Sequence, residues 1–166
     1  MIVESEYYSF IADKDIKYRD FHENTTKVFC KHGTKIDSFK DDNKKKRTSS
    51  NSVLRIVASD LLALGWDIEK GKKAIDKIRI HISDNKEKNP DGWHKESKTI
   101  LEVEGPRAWA ANAWSRDLIK ALQTEQDYLV LVVRRLYRGH KNFESIKEEL
   151  GSIKSYPLKG ILLIGY

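Results

Sequence analysis

Glu102 and Glu104 sit two residues apart in Thr99-Ile100-Leu101-Glu102-Val103-Glu104-Gly105, and Asp91 precedes Glu102 by eleven positions. The run alternates apolar and polar side chains at its end, as a strand does, so Glu102 and Glu104 share one face while Leu101 and Val103 share the other. Paired carboxylates repel, and a buried unpaired charge is costly, so such a pair needs a cation, a basic neighbour or a proton. Hard divalent ions such as Mg²⁺ take oxygen ligands of this kind. The chemistry on offer is metal-assisted hydrolysis, with clustered carboxylates holding a cation that activates water and stabilises developing negative charge.

The position of Asp91 depends on a hairpin register. If Glu96-Ser97 forms the centre of the turn, Asp91 faces Glu102, Trp93 faces Ile100 and His94 faces Thr99, with directly opposed Cβ atoms about 4.5–5.5 Å apart. Asp91, Glu102 and Glu104 then surround one point. In the competing register, Asn89-Pro90-Asp91-Gly92 is the hairpin tip, since it has type I turn chemistry. Arg79 then opposes Glu102, Lys77 opposes Glu104, and Asp76 is the one acid near Glu104. The first register makes a metal site and the second a solvated face of ion pairs.

The elements that must position these groups read as follows. Ser50 or Asn51 caps a helix over 52–64 with Val53, Leu54, Val57, Leu61 and Leu64 on one stripe, ended by Gly65. Trp66 to Glu69 is a short strand, and Lys77 to Ile82 a period-two strand. Gly105-Pro106 ends the acid-bearing strand and starts a helix from Arg107 to about Gln123, whose N-terminus is expected beside the acids. Tyr128 to Val133 is a continuous apolar run, expected to be covered on both faces. Phe143 to Leu150 is a helix, and Leu158 to Tyr166 carries a last strand. A strand–helix–strand crossover makes 99–104 and 128–133 parallel. The expectation is an α/β fold, a mixed central β-sheet flanked by helices, in one domain spanning 1–166 with its core in 52–166. Residues 1–48 are poorly legible; Tyr7 to Ile11 suggests a short helix and Lys27 to Cys30 a short strand.

Composition adds a bias rather than an activity. The chain of 166 residues is long enough for a real core, and 34% charged residues against 39% hydrophobic ones mark a globular protein with a polar exterior. The net charge of +6 favours an anionic partner, nucleic acid first. One cysteine, Cys30, excludes a disulfide framework and a cysteine-rich zinc site. Histidines 22, 32, 81, 94 and 140 have no metal-ligand spacing. No apolar run approaches the roughly 18–20 residues that span a bilayer, and the first residues have no signal-peptide pattern. A cytoplasmic protein without membrane contact is expected. The basic stretches Lys44-Lys45-Lys46-Arg47 and Arg134-Arg135-Leu136-Tyr137-Arg138, with Arg107 at the expected helix start, are candidates for contact with a nucleic-acid backbone. Trp109 and Trp114 read as core packing, Asp117 as a local partner of Arg116, and His94 as a surface residue.

Pro90-Asp91, then Glu102-x-Glu104 at a strand end, then Arg116-Asp117-Leu118 on a helix and Leu129 to Arg134 on an apolar strand, resembles the PD-(D/E)XK nuclease superfamily. Within it, the stretch is similar to type II restriction endonucleases related to BamHI and BglII. The resemblance covers about residues 90–135 in motif and 52–166 in element order. It implies a restriction-endonuclease-like fold, a Mg²⁺ (or Mn²⁺) cofactor and hydrolysis of double-stranded DNA, by a restriction enzyme or a structure-specific repair nuclease. A catalytically silent nucleic-acid-binding domain is the alternative from another class. It also implies that Asp91 and Glu102 are catalytic metal ligands, that the main-chain carbonyl of Val103 is a third, and that Glu104 is catalytic, binding a second metal or positioning water. Glu104 stands where most members have lysine; Lys98 and Lys120 are the residues that could return an ammonium to the site. Cutting both strands of a palindrome implies a homodimer.

Overall fold

The computed structural model describes residues 2–11, 16–42, 47–71, 73–105, 108–109 and 112–166. In chain order the elements are β1 (Glu4–Ser9), α1 (Ile16–Ile36), α2 (Ser38–Asp41), α3 (Ser50–Ala63), β2 (Asp67–Ile68), a 3₁₀ turn (Ala74–Asp76), β3 (Ile80–Ser83), β4 (Lys86–Lys88), β5 (Gly92–His94), β6 (Thr99–Glu104), α4 (Ala113–Gln123), β7 (Tyr128–Val133), β8 (Leu136–Tyr137), β9 (His140–Lys141), α5 (Asn142–Ser152) and β10 (Gly160–Gly165). Six of the strands form one mixed sheet in the order β1-β10-β7-β6-β5-β2. Its centre, β10, β7 and β6, is parallel, and its flanks are antiparallel.

The centre is parallel because each of its connections runs through a helix, α4 between β6 and β7 and α5 between β7 and β10. Every residue of β7 and β10 is buried, as an apolar run with helices on both faces requires. On one face Leu101, Val103, Val130, Val132, Leu162 and Ile164 pack against α1 and α3. On the other, Ile100, Leu129, Leu131, Val133, Ile161 and Leu163 pack against α4 and α5. Glu102 and Glu104 share the second face with Ile100, so the acids point toward α4.

The sequence reading needs several corrections. Tyr7 and Tyr8 lie in the edge strand β1, not a helix, and Lys27–Cys30 lies inside the long helix α1. The partner that makes β1 a strand is β10 at the far end of the chain, and no local pattern announces it. The helix over 52–64 is present as α3, but its cap is Ser49, whose hydroxyl accepts from the Ser52 amide. Lys77–Ile82 does not join the main sheet: β3 begins at Ile80 and pairs with β4 in a separate ribbon. The helix expected from Arg107 begins only at Ala113, because Asn112 adopts a left-handed backbone (φ 49°) at its N-cap. Pro106, Arg107, Lys44, Lys45 and Lys46 lie outside the described residues. Among the described residues, no helix is long and apolar enough to cross a membrane.

Candidate active site

The hairpin register is the one that brings the acids together. Gly92 pairs with Leu101, Trp93 with Ile100 and His94 with Thr99. The Lys98 amide donates to the Lys95 carbonyl (3.2 Å), and Lys98 takes a positive φ of 48°, so Glu96-Ser97 is the turn centre. Asp91 therefore arrives opposite Glu102, and its Oδ2 accepts from the Val103 amide at 2.8 Å. The competing ion pairs do not form. Lys77 pairs with Glu69, and Arg79 with Glu87 at 3.7 Å.

From the facing helix α4 come two further groups. Asp117 and Lys120, three apart, occupy one side of the helix, as that spacing requires. The Lys120 Nζ lies 2.7 Å from Glu102 Oε1 and 3.3 Å from Asp117 Oδ1. Glu104 lines the same cleft as Asp117, and its charge raises the Asp117 carboxyl. Asp117 is thus a buried member of the cluster rather than a surface partner of the exposed Arg116. Of the two lysines that could restore an ammonium, Lys120 does so, whereas Lys98 is exposed in the hairpin turn. Glu69, at the end of β2, adds negative potential at Asp91. Tyr166, fully buried at the chain's last position, donates its hydroxyl to the Glu104 carbonyl at 3.2 Å and fixes the strand end.

The electrostatics are lopsided. Among the described residues Lys120 is the ammonium paired within this cluster, with Glu102 and Asp117, while Asp91 and Glu104 lie near them. Burial pushes the Asp91 carboxyl up to about 6, with the Val103 amide and Lys120 opposing and Glu69 and Glu104 reinforcing. Burial, the Asp117 charge and the Asp91 charge raise Glu102 well above the carboxylate range despite Lys120. Asp117 is raised to about 8, by burial first and by Glu104. Burial opposes the Lys120 charge, but Glu102 and Asp117 outweigh it and raise its pKa. Two carboxylate oxygens, Glu102 Oε1 and Asp117 Oδ2, are buried without an aligned hydrogen-bond donor. Glu102 Oε1 touches Lys120 as an ion pair, not in hydrogen-bond alignment.

Orphaned hard oxygens of this kind fit a Mg²⁺ or Mn²⁺ ion. Among the described residues, no three acidic, histidine or cysteine side chains close on a single point as a complete metal cage. Mg²⁺ commonly needs no such cage; it takes one or two carboxylates, keeps waters and completes its shell with substrate phosphate oxygens. The donor set therefore suits a cation that assembles with a phosphate ester. A cleft of about 440 Å³ opens onto the cluster, lined by Glu104, Asp117 and Lys120 together with Lys88, Arg116, Ile119 and Gln123.

The basic residues expected to touch nucleic acid divide sharply. Arg134 is fully buried, paired with Asp41 and bonded to the Leu136 and Ser38 carbonyls at 2.8 and 3.0 Å. Arg135 pairs with Glu4 and donates to the Ile2 carbonyl at 3.0 Å. Both tie the sheet end together and neither is offered as a loose contact. Arg47 is tied to Asp42 by an ion pair at 4.0 Å and a bond to its carbonyl and lies 5.2 Å from the Tyr137 ring centroid, whereas Arg138, over the same ring at 5.4 Å, is exposed. His94 is half-buried, not a surface residue: it bonds Ser97 Oγ at 2.7 Å and lies 4.1 Å from the Phe21 ring, away from the cluster. Trp114 and Trp109 pack on the α4 side of the core.

Sequence reasoning missed Glu69 and placed Asp117 outside the site. The signal for Asp117 was its spacing from Lys120 on one helix face. Comparison with family models, curated proteins and solved structures finds no match to this chain.

Proposed function

We propose that this protein is a metal-dependent phosphodiesterase acting on nucleic acid, a Mg²⁺- or Mn²⁺-dependent endonuclease of double-stranded DNA. The observation that carries the reading is the acid cluster Asp91, Glu102, Glu104 and Asp117 beside the Lys120 ammonium, at the mouth of a cleft flanked by Lys88 and Arg116. Such an excess of buried carboxylate destabilises the chain unless a cation or proton joins it.

In this reading one or two of the carboxylates Asp91, Glu102 and Glu104 would hold the metal, with the Val103 carbonyl as a further ligand. Bound there, the metal would supply Lewis-acid stabilisation of charge developing on the phosphate. Lys120 orients Glu102 and presents a positive charge to a phosphate oxygen, in the role that the resemblance gives to the lysine absent at 104. Asp117, whose carboxyl is raised to about 8, keeps a proton near neutral pH and lies beside Lys120 at the cleft. Lys88 and Arg116 hold the flanking phosphates in the cleft. Arg47 and Arg138 contact the backbone farther along. A homodimer brings a second site to the opposite strand.

The test is incubation of the purified protein with supercoiled plasmid in Mg²⁺ and in EDTA. Nicked, linear or discrete products in Mg²⁺ alone support the reading. Intact plasmid, with DNA binding that is steeply salt-dependent and indifferent to metal, replaces it with a non-catalytic nucleic-acid-binding domain.

A further inference from the structure

Apart from Ile80, which is buried in the core on the α4 side, the β3–β4 ribbon adds nothing to the core. It pairs with itself alone, in a sheet separate from the main one. Of its strand residues only Ile80 is buried; His81, Ile82, Ser83, Lys86 and Glu87 are exposed, as is the tip, Asp84-Asn85. A two-stranded ribbon gains little from burial and is marginal in water by itself. Its base is nevertheless held firmly. Asn89 Nδ2 donates to the Ile78 carbonyl at 2.8 Å, Arg79 to the Ala74 carbonyl at 3.2 Å, and Ile78 packs on the α4 side of the core. The register shifts between His81 and Ser83, an irregularity that re-aims side chains near a strand end. The arm is therefore fixed at its root and free at its tip.

Its chemistry is divided along its length. Arg79 is engaged by Glu87 at 3.7 Å, which leaves Lys86 and Lys88 as cations on the stem. Lys88 also lines the cleft that holds Glu104, Asp117 and Lys120. The tip and its neighbours carry Ser83, Asp84, Asn85 and His81, side chains that hydrogen-bond base edges: Asn to adenine, Asp to the cytosine amine, Ser to either. The major groove, about 12 Å wide, admits a two-stranded ribbon.

We infer that the β3–β4 ribbon is a reading arm that enters the major groove of duplex DNA beside the cleavage site. His81, Asp84 and Asn85 contact base edges there, and Lys86 contacts a flanking phosphate. The inference rests on the nuclease reading for its ligand, and it gives that reading a source of sequence preference. Lys88 links the two, since one residue belongs to both the arm and the cleft.

The test is selection of bound duplexes from a random pool, in Ca²⁺, with the wild-type chain, the triple variant His81→Ser/Asp84→Ser/Asn85→Ser and the single variant Lys86→Ser. Dimethyl sulfate protection of guanine N7, a major-groove atom, is read on the selected duplex. The substituted residues are exposed, so the unfolding temperature stays within a few degrees of wild type. The wild type is expected to enrich a motif and protect N7. The triple variant keeps total binding within about twofold but loses roughly 5- to 150-fold discrimination per position read, together with the N7 protection. Lys86→Ser weakens binding evenly across sequences and lowers the salt slope by about one. The same motif and protection in the triple variant overturn the arm, as does a wild type that binds DNA without enriching any motif; plasmid cleavage in Mg²⁺ would still stand in both cases. A wild type that neither binds nor cuts DNA removes both proposals.

Discussion

Two buried charge clusters sit toward the same end of the sheet and are built on opposite principles. In the corner formed by α2, the end of β7 and the β8–β9 turn, Asp41 is matched by Arg134 and also accepts from the Thr48 amide at 2.6 Å. Asp42 uses both oxygens, accepting from the Arg138 and Gly139 amides at 2.6 and 3.0 Å. Ser38 closes the corner by donating to the Tyr166 carbonyl at 2.6 Å while accepting from the Leu136 amide at 3.2 Å. Each acid there has a donor for each carboxylate oxygen. In the cluster between β6 and α4, several acids share Lys120, and Glu102 Oε1 and Asp117 Oδ2 have no aligned donor. Buried charge alone does not mark a functional site. The balanced corner ties α2 to the ends of β7 and β10, and the unbalanced cluster leaves two carboxylate oxygens without a donor.

The largest effects should separate the two regions. Glu102→Ala is expected to lower plasmid cleavage at least about 1000-fold, on the scale of losing a principal source of transition-state charge stabilisation. The fold should persist, because like-charge repulsion falls. Circular dichroism beside the cleavage assay checks this; a variant that cuts at the normal rate removes Glu102 from the site. Arg134→Met should do the reverse. It leaves Asp41 buried and unpaired, at a cost of about 3–5 kcal/mol, a fall of roughly 6–20 °C in unfolding temperature for a chain of this size. An unfolding temperature unchanged from wild type would make the corner dispensable.

Lys120→Met stands between them. Cleavage should drop by about 100-fold or more, and stability should fall at pH 8 but hardly at pH 5, where the orphaned acids carry protons. Equal destabilisation at both values would mean that Lys120 acts through packing rather than charge. Asp117→Asn gives the smallest effect, and its sign follows from the raised pKa values. An acid whose folded pKa lies above its unfolded value contributes stability that is fully present below the unfolded pKa, near 4, and lost as pH rises through the folded one. For Asp91 and Asp117 the folded values are about 6 and about 8. The metal-free wild type should therefore lose stability between pH 5 and 8. Asp117→Asn should flatten that slope and raise the pH 8 unfolding temperature by a few degrees. A steeper slope in the variant would contradict the electrostatic reading.

The sequence carries the acid hairpin more clearly than the cluster it feeds. Alternation at the end of 99–104 put Glu102 and Glu104 on one face but left two hairpin registers open, and the turn closed by the Lys98 amide on the Lys95 carbonyl selects the one that brings Asp91 opposite Glu102. The central apolar strand 128–133 was legible because a run of six buried residues leaves little choice. Asp117 was not, since its neighbour Arg116 offered a simpler partner and the left-handed Asn112 moves the helix start to Ala113. The alternation of Ile78, Ile80 and Ile82 gave an extended segment correctly but the wrong sheet, because Ile82 is exposed on the ribbon. Arg134 looked like a surface contact because its run is basic, and only the distant Asp41 shows why it is buried. Contacts made across 60 to 160 residues leave no local pattern to read.

Thermal unfolding at pH 8 with and without 10 mM Mg²⁺, for wild type and Glu102→Gln, tests the central claim most directly. A cation seated on the cluster with millimolar affinity stabilises the folded chain by about 1.4 kcal/mol at that concentration, a rise of roughly 3–6 °C. The wild type should show that rise and Glu102→Gln should not, while at pH 5 the wild-type shift should shrink as protons compete for the same oxygens. No shift in the wild type, or an equal shift in both proteins, would contradict the assignment of the cluster as a metal seat.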